Sequence, residues 1–228
     1  HHDFDTIPND LPVLFIGNEF LDALPIDQLV MVQGRWMQRC IDVDDSKDEP
    51  FCYSARMASD DLVDLVPPRL LPYMDGDVVE VSKILIDCFN KICFRILNQK
   101  GAGLFIDYGY RYSNTVNTMQ ALHKHRSVSI LHEPGETDIT FLINFEDLSR
   151  RGMEAGLSVF GPASQGAFLT SLGIQARAEM LKDKADDAQK ADIDTALHRL
   201  ISPDQMGELF KVMGVCADPL LHLEGFQS

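Results

Sequence analysis

Basic charge is scarce in this sequence. Against 35 Asp and Glu there are only 20 Lys and Arg, a formal net charge of −15 over 228 residues. Proteins that grip a phosphate backbone draw their affinity from clustered Lys and Arg, so nucleic acid is not an expected partner. The same acidity repels anionic membrane surfaces. No apolar run approaches the roughly 20 residues of a spanning helix, and no secretory leader is read at the start, so no membrane insertion is expected. The five cysteines (Cys40, Cys52, Cys88, Cys93 and Cys216) are odd in number and scattered, with no CxxC pair. They read as reduced, partly buried thiols of a cytosol-like compartment, not as a disulfide framework or a zinc finger. The phosphate-cradling turns GxGxxG and GxxxxGK[ST] are missing, and with them the usual glycine-rich nucleotide site. The GxSxG elbow is missing too, which argues against a hydrolase built on Asp22 or a histidine. There is no internal repeat and no low-complexity tract.

What remains is 45% hydrophobic, a composition that supports a packed core over about one and a half domain lengths. Pro12 to Ile16 is a short apolar run without alternation, which predicts a strand covered on both faces. Asp27 to Val43 holds two β-rich runs around Gly34, a hairpin pattern. Asp44 to Glu49 reads as an acidic turn, and the stretch onward to Pro72 as irregular, broken by Pro67-Pro68. From Val78 to Gln99 the period changes: Val81, Leu85, Cys88, Ile92 and Ile96 mark one face of a helix. Leu104 to Ile106 is a second buried strand, followed by a loop from Tyr108 to Pro134. Asn144 suits the cap of a helix reaching Gly156, with Phe145 and Leu148 inward. Leu157 to Phe160 forms a third strand stopped by Gly161-Pro162. A short helix carries Phe168 and Leu169, a longer charged helix runs from about Arg177 to Ile201, and Leu209 to Cys216 is the last strand. Helix, glycine and short apolar strand in alternation define an α/β sheet.

Ligands of open α/β sheets bind beyond the carboxyl ends of the strands. Two such ends carry polar groups. Asn18, Glu19, Phe20 and Asp22 follow the first strand, and Asp107, Tyr108 and Gly109 close the second. Carboxylates placed there need partners or a ligand, although Asn18 and Asp22 would equally serve as turn caps and Asp107 as a strand-ending turn residue. His123, His125 and His132 alternate closely enough to attract attention, but no Cys, Asp or Glu completes a recognised metal spacing, so no metal site is expected. Glu133, Glu136 and Asp138 crowd a turn that reads as a solvated loop or an acidic mouth for a cationic substrate. Cys88 and Cys93 lie on the predicted helix and read as core.

Taken in order, these segments resemble one family. Asn18-Glu19-Phe20-Leu21-Asp22-Ala23-Leu24-Pro25 is similar to its NEFFDALP signature, and Gly101 to Gly109 (GAGLFIDYG) to its GGAALIIDYG. Pro134 to Thr140 with Asn144-Phe145 resembles PGxADLTxxVDF. Gly161-Pro162, Gln165-Gly166, Phe168-Leu169, Leu172-Gly173-Ile174 and Arg177-Ala178 follow a further block, and Met206 to Lys211 (MGELFK) the closing MGxLFKV. On these motifs the chain is identified as a member of the MidA-type S-adenosylmethionine-dependent methyltransferases of bacteria and mitochondria. The mitochondrial members are complex I assembly factors and protein arginine methyltransferases. Leu21 replaces a usual aromatic, Asn144 an Asp, and Lys83 stands where the family's EISP has proline, which bears on where that helix begins.

The resemblance implies a Rossmann-like, seven-stranded methyltransferase sheet, represented here by its C-terminal half. Pro12 to Ile16 would be the fourth strand and Leu104 to Ile106 the fifth, with the sixth and seventh closing the chain. Residues 1–228 would form the C-terminal part of one methyltransferase domain, with residues 27–77 a hairpin and irregular insertion. An N-terminal cofactor-binding part would be missing, and the abrupt start before Pro12 reads the same way. The implied activity is S-adenosylmethionine-dependent methylation of a protein, arginine-directed and linked to complex I assembly. Glu19 and Asp22 are the catalytic candidates, Asn18 the cofactor contact, and Phe20, Asp107 and Tyr108 the substrate contacts. The acidic surface would favour encounter with a basic target segment. The alternative is a non-catalytic module that holds a partner protein during assembly. A homo-oligomer is left open. The bacterial cytoplasm is the expected compartment, with the mitochondrial matrix as the alternative.

Overall fold

The computed structural model describes residues 6–46, 49–68, 72–112, 115, 117–124, 126–218 and 222–226. In chain order its elements begin with β1 (Leu14–Asn18), β2 (Asp27–Val32), β3 (Arg35–Val43), β4 (Phe51–Met57), α1 (Asp60–Val63) and β5 (Val78–Val81). Then come α2 (Lys83–Gln99), β6 (Ala102–Tyr110), β7 (Gln120–His123), β8 (Arg126–Ser127), β9 (Asp138–Thr140) and β10 (Ile143–Asn144). The chain continues through α3 (Phe145–Glu154), β11 (Ser158–Ser164), α4 (Gln165–Ser171), α5 (Ile174–Lys182), α6 (Asp187–Ile201), α7 (Met206–Leu209) and β12 (Phe210–Cys216). These divide into two compact units, His1–Leu21 with Phe89–Tyr112 and Ile143–Ser228, and Asp22–Cys88 with Ser113–Leu142.

The first unit is built on a mixed sheet in the order β1-β6-β12-β11. β1 runs parallel to β6, with Leu14 opposite Ala102 and Asn18 opposite Ile106. β12 is antiparallel to both β6 and β11 and is buried along its whole length. A strand with neighbours on both edges and cover on both faces must be apolar, which the segment around Val212, Met213 and Val215 satisfies. Phe89, Ile92, Cys93 and Ile96 of α2 are fully or almost fully buried, as are Phe105, Phe145, Leu148 and Phe210. The Phe89 and Phe105 rings meet edge to face at 5.3 Å. Each large side chain so buried contributes about 1.5–3 kcal/mol. Asn144 caps α3 as expected, its Oδ1 accepting from the Asp147 amide at 3.2 Å.

Three expectations for this unit are corrected. β1 is not covered on both faces: Leu14 is 78% exposed and Ile16 77%. Its only sheet neighbour among the described residues is β6. Gly161-Pro162 does not stop β11, because the register shifts between Phe160 and Ala163 and the strand resumes; a bulge is where a strand tolerates proline. The long charged helix is two helices. Asp186 starts α6 through a capping box, its side chain accepting from the Gln189 amide while the Gln189 side chain accepts from the Asp186 amide.

In the second unit β2 and β3 form the expected hairpin across Gln33 and Gly34, both with positive φ (49° and 71°), the backbone that two-residue hairpin turns require. The sheet is larger than a hairpin. Its order is β4-β3-β2-β5, so the stretch read as irregular supplies β4 and α1. Val78–Val81 is a strand paired with β2, not the first turn of a helix. Ser82 then sets the start of α2, its Oγ accepting from the Leu85 amide at 3.1 Å and donating to the Pro25 carbonyl. Leu29, Ala58, Leu62, Val79 and Val81 form the core beneath this sheet, flanked by Trp36 and Tyr73. The loop predicted from Tyr108 to Pro134 instead contributes the end of β6, then β7 and β8, which join β9 in a three-stranded sheet.

Candidate functional site

At the carboxyl end of β1 the chain makes a turn that its own residues do not favour. Glu19 holds φ at +47°, a left-handed conformation disfavoured for a residue with a Cβ and found where the surroundings enforce it. What enforces it is Asp107. This carboxylate, 1% exposed at the end of β6, accepts the amides of Phe20 and Leu21 on one oxygen at 3.2 and 2.9 Å. Its other oxygen accepts the Tyr108 amide at 2.9 Å. The Glu19 amide donates to the Ile106 carbonyl at 3.0 Å, which continues the β1–β6 ladder into the turn. Asp107 therefore shapes the loop from within, and the group it presents is Glu19.

Glu19 is exposed, and the Asn18 amide nitrogen lies 3.4 Å from its Oε1. Asn18, Glu19 and Phe20 line a cavity of about 420 Å³ with Phe15, Gly17, Ile92 and Phe105. The arrangement combines one carboxylate and one amide with aromatic walls. It suits a cation, which the carboxylate would neutralise. Tyr108 packs on Phe210, ring centroids 4.0 Å apart. Of the six candidates, the structure thus gathers Asn18, Glu19 and Phe20 at one cavity, with Asp107 and Tyr108 in the supporting strand.

Asp22 is 8% exposed and belongs to the second unit, where it lines a different cavity of about 390 Å³ with Asp27, Arg39, Tyr53, Met119 and Phe141. Arg39 stands over the Tyr53 ring at 5.3 Å and donates to Gln28 Oε1 at 2.7 Å. Gln28, itself buried, donates to Glu80 at 2.8 Å and to Asn117 at 2.7 Å. Glu80 also accepts the amides of Thr118 and Met119 and the Thr118 hydroxyl. None of Gln28, Arg39, Glu80 and Thr118 stood out in the sequence. Isolated polar residues within β-rich runs carry no pattern, and their partners lie up to 89 positions away.

His123 and His132 approach each other with rings 5.3 Å apart and with Glu133 beside both. His125 lies outside the described residues. Cys93 is the deeper of the two helical thiols, and burial pushes its pKa from 9.0 up to about 12, so it is core as expected; Cys88 is half-buried. Among the described residues no helix is long and apolar enough to cross a membrane.

An open α/β sheet with a strained, charged turn at the carboxyl end of a strand defines the class of ligand-binding α/β proteins that place chemistry at that end. Residues 1–163 match the family described as "Putative S-adenosyl-L-methionine-dependent methyltransferase". The chain belongs to this family. It is similar to "Protein arginine methyltransferase NDUFAF7, mitochondrial" of Xenopus laevis, 29% identical over 220 residues, covering 94% of this chain and 48% of the relative. The Drosophila melanogaster homologue of that name is 30% identical, covering 94% and 49%. The chain thus spans about half the length of the curated relatives it matches. Two Burkholderia thailandensis crystal structures, each 26% identical, superpose with TM-scores of 0.78 and 0.76 over 98% of this chain and 58% and 56% of theirs. The second is described as a "likely methyl transferase" bound to S-adenosyl-homocysteine.

Proposed function

We propose that this chain is the target-facing part of an S-adenosylmethionine-dependent protein methyltransferase, directed at arginine and serving respiratory complex I assembly. The observation that carries this reading is the Glu19 turn, a carboxylate in left-handed backbone at a strand end, held there by the buried Asp107. In this reading β1, β6, β11 and β12 correspond to the fourth, fifth, sixth and seventh strands of the methyltransferase sheet. The order β1-β6-β12-β11 with β12 antiparallel supports the correspondence. In this reading the insertion expected at residues 27–77 would fall within the second unit, residues 22–88 and 113–142. An N-terminal cofactor-binding part would complete the sheet beside β1, which fits the exposed Leu14 and Ile16 and the half-length coverage of the relatives.

S-adenosylmethionine, when bound, supplies an electrophilic methyl on a sulfonium cation. The donor set at the β1 end fits one side of such a cation: Asn18 and Glu19 offer polar atoms, and Phe20 and Phe105 offer apolar walls. Glu19 would pair with the target guanidinium, which stays protonated in water and is a poor nucleophile until a carboxylate orients it and balances its charge. In-line displacement depends chiefly on such positioning. Asp22, the second catalytic candidate, is buried and lines the cavity of the second unit. The protein substrate is supported by the relatives named as protein arginine methyltransferases. The compartment follows their names as mitochondrial, with the bacterial cytoplasm as the alternative.

Glu19→Gln in the full-length protein keeps the shape of the side chain and removes its charge. Methyl transfer is expected to fall by roughly a hundredfold, the scale of losing one electrostatic contact to the reacting groups. Unchanged transfer would remove Glu19 from the chemistry. Titration calorimetry of the full-length protein with S-adenosylmethionine tests the wider reading, since an absence of binding heat would point to the non-catalytic assembly module.

A further inference from the structure

The second unit contains a cluster that the methyltransferase reading does not use. His123 ends β7, while His132 and Glu133 sit on the turn before β9. The His123 Nε2 lies 3.7 Å from Glu133 Oε2, and the His132 Nε2 lies 4.0 Å from Glu133 Oε1. One ligand atom from each of the three residues falls within 4.8 Å of the other two. The sequence did not suggest the set because the spacing from His123 to His132 matches no recognised pattern. The turn brings them together.

We propose that His123, His132 and Glu133 form a binding site for a zinc-type divalent transition-metal ion. The donor chemistry selects the class: two imidazoles and one carboxylate suit zinc and its neighbours, whereas calcium and magnesium take all-oxygen shells. The histidine geometry is ligand-like. His123 Nδ1 lies 3.1 Å from the Glu136 carbonyl, and donation there makes Nδ1 the protonated nitrogen. That leaves the Nε2 lone pair directed to the cluster, and a carbonyl on the other ring nitrogen is the partner that orients metal-bound histidines.

The turn itself is tied in place. His132 N donates to the Ser129 carbonyl at 2.9 Å, Glu136 N to the Glu133 carbonyl at 3.0 Å, and the Thr137 hydroxyl to the His132 carbonyl at 2.7 Å. An ion with bonds of about 2.0–2.1 Å needs its ligands about 3.3 Å apart, so side-chain rotation of under about 1 Å per atom closes a set whose ligand atoms lie within 4.8 Å of one another. His132 and Glu133 also line a cleft of about 300 Å³ with Glu49, Phe51 and Ser129. That cleft leaves room for water at a fourth position. A bound ion would clip the turn to β7.

The test is titration of the protein with zinc chloride against a chromophoric zinc chelator, with His1 and His2 replaced by alanine so that the terminal pair cannot contribute. One equivalent bound at micromolar affinity is expected, with a rise in melting temperature of about 5 °C at hundredfold excess over Kd. His132→Ala and the isosteric Glu133→Gln should each weaken binding at least tenfold while the far-ultraviolet circular dichroism stays unchanged. Binding weaker than about 100 µM, or binding that survives both substitutions, overturns the proposal. Neither outcome depends on methyl transfer.

Discussion

Replacing Asp107 by Asn tests the central structural argument, because the two side chains have almost the same shape. The carboxylate serves three backbone amides: Phe20 and Leu21 on one oxygen, Tyr108 on the other. An asparagine has one acceptor oxygen. If that oxygen faces Phe20 and Leu21, the NH2 group meets the Tyr108 amide donor to donor. If it is flipped, two amides lose their acceptor. Hydrogen bonds to a charged group contribute about 1.5–3 kcal/mol each, and a buried amide left without a partner costs a further share of its desolvation. With Asp107 at 1% exposure, water cannot substitute freely, so the expected loss is about 2–4 kcal/mol. For a chain of this size that is a drop in melting temperature of roughly 5–15 °C. The loss should also be local. Hydrogen exchange at the Phe20 and Leu21 amides should quicken by on the order of a hundredfold or more at the upper end of that range. The β1–β6 ladder from Leu14 to Asn18 is held by backbone pairing and should keep its protection. A melting temperature within 2 °C of the parent, with unchanged exchange at both amides, would refute the view that Asp107 holds the turn.

Two further predictions concern packing and pH. Gly109→Ala in β6 would place its Cβ 2.4 Å from the Ile143 carbonyl and 2.6 Å from the Phe145 ring, so a loss of about 2–3 kcal/mol is expected in urea denaturation; a loss below 1 kcal/mol would mean that β10 is free to move away. Cys93, raised by burial from 9.0 to about 12, keeps its proton in the folded state after the unfolded thiol has lost it. The stability it lends is therefore complete below pH 9 and declines as pH rises toward 12, by about 1.4 kcal/mol at pH 10. Cys93→Ala should flatten that alkaline slope relative to the parent, whatever it does to stability at pH 7, and an unchanged slope would contradict the buried-thiol account.

The parts of the fold that were legible in the sequence are those whose signal is local. Asn144 reads as a cap because the acceptor and its amide are three residues apart, and α3 begins there. The hairpin over β2 and β3 reads from its turn chemistry. The break between α5 and α6 was legible too and was missed, since Asp186 and Gln189 carry the capping-box spacing within a run that looks uniformly charged. β4 was missed for another reason. Its inward positions hold the half-buried Cys52 and Ser54, while Phe51 and Tyr53 face outward, so the apolar alternation points to the wrong face. At the candidate site, residue types at the strand ends singled out Glu19 and Asp107 together. Their different jobs were not legible, because the amides that Asp107 serves lie 86 and 87 positions away.

The largest misreading, β1, has the most consequence for function. Continuous apolarity predicts burial on both faces, yet Leu14 and Ile16 stand open and β6 covers only one edge among the described residues. An uncovered apolar strand edge is an aggregation hazard that folded proteins ordinarily cover, shorten or charge. β1 is neither charged nor blunted by a bulge, and Gly17 to Phe20 at its end carry the strained turn. The residues written into β1 are those of an interior strand, and the catalytic candidate sits at its tip. If further chain pairs with that edge and packs on the face that Leu14 and Ile16 share, those two become core, and the Glu19 turn lies next to whatever the added strands bind. Hydrogen exchange at the β1 amides decides the matter in the full-length protein. Protection of the Leu14 and Ile16 amides, which point away from β6, beyond that seen in this 228-residue chain is the expected result, and equal exchange in both would leave β1 an edge and place the cofactor elsewhere.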